Sequence, residues 1–84
     1  MSASKSEIAG WFDRGLKKKM NYLIIVCDTF ENENYPVFAI SDKDALDKFN
    51  TYSGKDMQRV DEVYNLTEDR DEQLNAEYVM RLPV

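Results

Sequence analysis

The groups in this 84-residue chain that could do chemistry are one thiol, two acidic stretches and a set of aromatic rings. Cys27-Asp28-Thr29 stands where the apolar run Tyr22-Leu23-Ile24-Ile25-Val26 gives way to polar residues, a place where sheet proteins often carry functional groups. A catalytic cysteine needs a base or a cationic neighbour to hold it as thiolate, and the chain has no histidine. Asp28 supplies the wrong charge for that role, so Cys27 is expected to be a small buried hydrophobe. The lack of histidine also removes the commonest transition-metal ligand, and one cysteine cannot build a structural zinc site. The stretches Asp28 to Asn34 and Asp69 to Glu72 are acidic, but neither has the twelve-residue calcium-loop spacing with its central glycine. Gly10, Gly15 and Gly54 are scattered and form no phosphate-binding loop. No catalytic residue, cofactor or metal is predicted.

The aromatics carry the remaining signal. Phe30 and Tyr35 flank Glu31, Asn32, Glu33 and Asn34 at the end of the most strongly specified strand in the chain. Aromatic anchors beside a charged rim match the composition of interaction hot spots, and loops on rigid scaffolds are where binding residues gather. Asp28, Thr29, Phe30, Glu31, Glu33 and Tyr35 are therefore the candidate partner-binding residues. Asp28 and Thr29 are expected to shape the start of the loop by bonding to the backbone. The competing expectation is that Glu and Asn only solvate a turn while the rings fold back onto the core.

The elements that position this loop follow from pattern. Tyr22 to Asp28 has too many consecutive apolar residues for a one-sided strand and is β-branched at its centre, which predicts a central strand. Tyr35 to Ile40 pairs with it as an antiparallel hairpin, Pro36 turning its nitrogen away from the partner. Ser4-Lys5-Ser6-Glu7 has capping-box spacing and opens a first helix, with Ile8, Trp11, Phe12, Gly15 and Leu16 on its apolar face. The two glycines in that helix imply either close approach to a neighbour or an early end near Gly15. Ser41 caps a second helix that buries Ala45, Leu46 and Phe49 and closes at Ser53-Gly54. Met57 to Leu66 is a third strand whose alternation slips between Val60 and Val63, so a bulge is expected near Asp61 and Glu62. Leu74, Tyr78 and Leu82 have the spacing of a last helix, although Tyr78 to Leu82 also fits a short strand.

Composition bounds the rest. A chain of this size buries roughly 60 to 65% of its extended surface, enough for one modest core. One cysteine gives no internal disulfide, no run approaches the ~20 apolar residues of a membrane span, and no signal-peptide pattern is present, so a cytoplasmic protein is expected. Residues 1–20 hold five cationic and two anionic side chains, a net of +3 that leaves −8 on the remainder of this −5 chain. An acidic body repels nucleic-acid backbones, so no direct nucleic-acid partner is expected.

Leu23-Ile24-Ile25-Val26-Cys27-Asp28-Thr29-Phe30, Tyr35-Pro36-Val37-Phe38 and Glu62-Val63-Tyr64-Asn65-Leu66 resemble segments of a group of short hypothetical proteins of bacteria and their phages. The likeness covers about residues 6–66. It implies a bacterial or phage source and a self-contained domain, and carries no catalytic or binding residue.

These observations predict a single α+β domain over 1–84, with 1–4 and 83–84 frayed. Its order is α-β-β-α-β-α, with a three-stranded, mainly antiparallel sheet and helices packed mainly on one face. The expected function is a non-enzymatic protein-binding or regulatory module of a bacterium, phage or mobile element, acting on a protein partner and away from membranes. The alternatives are an acidic inhibitor that occupies a nucleic-acid-binding site on a host enzyme, and a small enzyme using Asp28 or Cys27.

Overall fold

The computed structural model describes residues 4–54 and 57–83. A run of six buried residues, Tyr22 to Cys27, makes β1 (Tyr22–Asp28) the central strand of an antiparallel sheet of order β2-β1-β3, with β2 at Glu33–Ala39 and β3 at Gln58–Asn65. Three helices complete the domain: α1 (Lys5–Lys17), α2 (Asp42–Tyr52) and α3 (Arg70–Asn75). The element order and antiparallel pairing are those expected.

The placement of the helices differs from the expectation of cover mainly on one face. Leu23 and Ile25 pack with Ile8 and Phe12 of α1, whereas Tyr22, Ile24 and Val26 pack with Ala45, Phe49 and Tyr52 of α2 on the opposite face. A strand whose successive side chains point to opposite faces can be apolar throughout only if both faces are covered. The unbroken run in β1 is the consequence. Phe12 is wholly buried and Trp11 lies half-buried against the same cluster.

The hairpin is tighter than expected. β2 starts at Glu33, opposite Asp28, so Glu33 and Asn34 are strand residues and only Thr29 to Asn32 form the loop, closed by Asn32 at a left-handed φ of 59°. Pro36 lies opposite Ile25. Lacking an N–H, it sits with its nitrogen outward and blunts the open edge of β2. On the other side of β1 the register passes from Ile25 opposite Glu62 to Val26 opposite Val60, so Asp61 is the extra residue of the expected bulge.

α1 begins at a capping box between Ser4 and Glu7, so Ser4 is fixed rather than frayed; residues 1–3 and 84 lie outside the described residues. The helix runs through Gly15 to Lys17 and closes with Met20 N–H donating to Gly15 O (2.9 Å) and Lys19 N–H to Leu16 O (3.1 Å). Gly15 is there for close approach: a Cβ at that position would lie 2.6 Å from Leu66 Cδ1 and 2.9 Å from Phe38 Cε1. α2 is capped by Ser41 and followed by Gly54 at φ 75°.

After β3 the chain departs from the helical spacing. α3 ends at Asn75, and Val79 to Arg81 run extended beside β3, with Val63 N–H donating to Val79 O (3.0 Å) and Arg81 N–H to Val63 O (2.9 Å). Val79 is buried and Tyr78 exposed, and a single parallel bridge between Val63 and Met80 stands where either a helix or a short strand over Tyr78 to Leu82 was expected. Gln73, buried in α3, accepts from Asn65 N–H and donates to Asn65 O and Asp69 O, satisfying the backbone where β3 ends. Among the described residues no helix is long and apolar enough to cross a membrane.

Candidate functional site

The hairpin end of the sheet assembles five of the six predicted binding residues. Asp28 Oδ1 accepts from the backbone N–H groups of Phe30 (2.9 Å) and Glu31 (3.3 Å), which fixes the loop at its first turn. Thr29 donates from both its N–H and its hydroxyl to Met57 O, each at 2.7 Å. This pair of hydrogen bonds clasps the hairpin to the start of β3. Phe30 is 73% exposed and Met57 60% exposed, while Glu31 and Glu33 are solvent-facing around them. The result is a pair of exposed apolar side chains on hydrogen-bonded backbone, with two exposed carboxylates in the same hairpin.

Tyr35 is placed elsewhere. Its position in β2 turns it to the α2 face, where its ring meets Tyr52 edge-on at 6.4 Å and its hydroxyl accepts from the Gln58 side chain. Burial raises its phenol pKa above the ordinary value. Tyr35 is a core lid, as the competing expectation held, and Phe30 is the exposed ring.

Met57 is the member of this site that pattern reading missed. A three-stranded antiparallel sheet with β1 in the middle must bring the end of β1 beside the start of β3, so the topology itself was the available signal.

A second candidate lies on the α1 face beside the bulge, a groove of ≈ 340 Å³ whose floor includes Ile8 and Ile25. Asn34 and Arg59 stand opposite Cys27 from the two flanking strands, and both side chains converge on Asp61: Asn34 Nδ2 donates to Oδ2 (2.8 Å) and Arg59 Nε to Oδ1 (3.0 Å). Asp61 in turn raises the Arg59 pKa by hydrogen bond and charge. Glu62 accepts from the Tyr64 hydroxyl (3.0 Å) and from Val79 N–H (3.1 Å), and Lys5 donates to Tyr64 and to Ala76 O. Burial and then the Glu62 carboxylate push the Tyr64 phenol up. Each carboxylate oxygen at the bulge is thus occupied by a donor from the chain, and Cys27 lies buried beneath, 3% exposed. Such an arrangement locks β3, the C-terminal segment and α1 together.

Among the described residues no group of three or more cysteine, aspartate or glutamate side chains is placed to hold a metal ion. Comparison of the chain with protein-family models, with curated proteins and with solved structures gives no match.

Proposed function

We propose that this chain is a non-enzymatic protein-binding module of a bacterium, phage or mobile element, and that its hairpin end is the binding surface. The observation that carries this reading is the Thr29–Met57 clasp, which holds two exposed apolar side chains, Phe30 and Met57, at one end of the sheet. A large apolar residue left in water on fixed backbone loses little conformational freedom on binding, which is the property of an interaction anchor. The acidic rim of Glu31 and Glu33 selects a partner with cationic groups around an apolar pocket, and acts mainly on the rate of encounter. The occupied carboxylates at the bulge favour a structural role there over a catalytic one.

Affinity capture from an extract of the source cell tests the proposal, using the wild-type chain, Phe30→Ala, and the double change Glu31→Lys with Glu33→Lys. Loss of an anchor side chain should weaken capture at least about 30-fold, as for a hot spot of about 2 kcal/mol. The charge reversal should slow association with little change in thermal stability. Capture that is indifferent to both variants would remove the hairpin end from consideration. Release of the captured protein by added DNA would favour the acidic-inhibitor reading over a general binding module.

A further inference from the structure

The end of the molecule opposite the hairpin is complementary to it. Where α1 closes onto the start of β1, Leu16 is 45% exposed and Ile40, just past β2, is 59% exposed. Asn21 connects the two segments, its N–H donating to Ala39 O and its side chain to Ile40 O, two residues after the Lys19 N–H that closes the helix on Leu16 O. Lys17 and Lys19 are exposed beside them, and among the described residues no carboxylate pairs with either. Carboxylates are also present at this end: Asp44 accepts from the Ile40 N–H (3.1 Å) and pairs with Lys48, Glu68 pairs with Arg81, and Asp42 accepts from the Tyr22 hydroxyl. One end therefore shows two apolar side chains with Glu31 and Glu33, and the other shows two with Lys17 and Lys19, which, unlike Asp42 and Asp44, have no side-chain partner among the described residues.

Backbone conformation singles out the same two ends. Among the described residues the non-glycine ones at positive φ are Lys19 (60°), Asn32 (59°) and Met57 (61°), one at the basic end and two at the acidic end. Asparagine tolerates this region, but a lysine or methionine there is strained, and glycine would suit the backbone better. Lys19 occupies the position after the helix cap that glycine ordinarily fills. Strained backbone clusters at ligand clamps and binding sites, which makes these two positions candidates for contact. The two are the anchor Met57 and the rim cation Lys19.

We propose that the partner of the hairpin end is the basic end of a second copy of this chain, so that molecules associate head to tail. This proposal rests on the hairpin-end reading above. β1 separates the two ends by roughly 20 Å, so their complementarity cannot be satisfied within one molecule. A contact between different patches on successive copies does not close as a dimer and extends into open chains or rings. Extents of 31 × 27 × 21 Å limit either end to a small contact, below the ~800 Å² per partner of a standard interface. Association is accordingly weak, concentration-dependent and sensitive to salt.

Sedimentation equilibrium of the full chain up to about 1 mM, at low and high salt, tests the proposal. The expected result is an average mass that climbs past twice the 9.8 kDa monomer at low salt and falls back as salt is added. Phe30→Ala, and separately Lys17→Glu with Lys19→Glu, should each stay monomeric. Their mixture should form a one-to-one dimer and nothing larger, because each variant keeps one intact end. Lys19→Gly should raise the melting temperature while weakening association. A wild-type chain monomeric throughout, a mass that plateaus at the dimer, association surviving in Phe30→Ala, or a mixture that stays monomeric would each overturn the proposal. Were the wild type monomeric while Phe30→Ala still lost its captured partner, head-to-tail association would fail and the hairpin-end reading would stand. Were association to survive Phe30→Ala but not the lysine reversal, the hairpin-end reading would fail with it.

Discussion

Two glycines in one helix should respond to the same substitution with opposite outcomes. Gly10 and Gly15 both lie inside α1, where alanine is favoured over glycine by about 0.8 to 1 kcal/mol. At Gly10 an added Cβ meets nothing within 4 Å, so Gly10→Ala should stabilise by about that amount. At Gly15 the same Cβ lies 2.6 Å from Leu66 Cδ1 and 2.9 Å from Phe38 Cε1, distances at which something must move. Leu66 is buried and Phe38 lies under the Lys18 ammonium, so neither swings freely into solvent. Overpacking of this kind costs about 1 to 3 kcal/mol, which offsets or exceeds the helix gain. The difference between the two variants cancels the propensity term and isolates the clash, leaving Gly15→Ala about 1 to 3 kcal/mol less stable than Gly10→Ala. Urea unfolding monitored by Trp11 fluorescence measures both. Equal stabilisation by the two changes would mean that α1 does not approach the sheet as closely as described, and that the register of α1 over Phe38 and Leu66 is wrong.

Further consequences follow from other parts of the fold. Gln73→Ala removes an amide that bonds three backbone groups and leaves a void, so it should destabilise by about 2 to 4 kcal/mol by denaturant unfolding, with Gln73→Met recovering little of the loss. Tyr22 is pushed up to about 12 by the bond it donates to Asp42 (2.6 Å) and then by burial, against about 10 for an unfolded tyrosine. A raised pKa contributes stability below pH ~10 that is lost as pH rises toward ~12, so denaturation midpoints should fall over that window and fall less in Tyr22→Phe. Asp28→Ala should cost about 1 kcal/mol and speed hydrogen exchange at the Phe30 and Glu31 amides, while leaving Thr29 clasped to Met57.

Local signals in the chain were sufficient for most of the fold. Ser4, Ser41 and Gly54 mark helix ends by chemistry confined to a few residues, and the slip between Val60 and Val63 marks the bulge because alternation is a property of one strand. The sidedness of the helices was not legible, since an apolar run such as Tyr22 to Val26 is compatible with cover of either kind until the partners of both faces are known. The C-terminal segment was ambiguous for a related reason. Leu74, Tyr78 and Leu82 have helical spacing, but Val79 and Met80 are also apolar, and the unfilled edge of β3 at Val63 decides in favour of extended chain. At the candidate site, Asp28 was readable as a loop-shaping residue because its bonds to Phe30 and Glu31 are local, whereas Thr29 bonds to Met57 instead. Met57 was not, since its place beside Thr29 depends on a pairing between residues 28 apart in the chain.

The most direct test of the hairpin end as the binding surface is amide chemical-shift mapping on isotopically labelled protein, titrated first with unlabelled chain and then with any captured partner. The expected perturbations concentrate at Thr29 to Glu33 and at Met57, joined by Leu16 to Lys19 and Ile40 when the titrant is the chain itself. Perturbations centred instead on the bulge groove, at Arg59, Asp61 and Tyr78, with Phe30 and Met57 unmoved, would contradict a binding surface at the hairpin end.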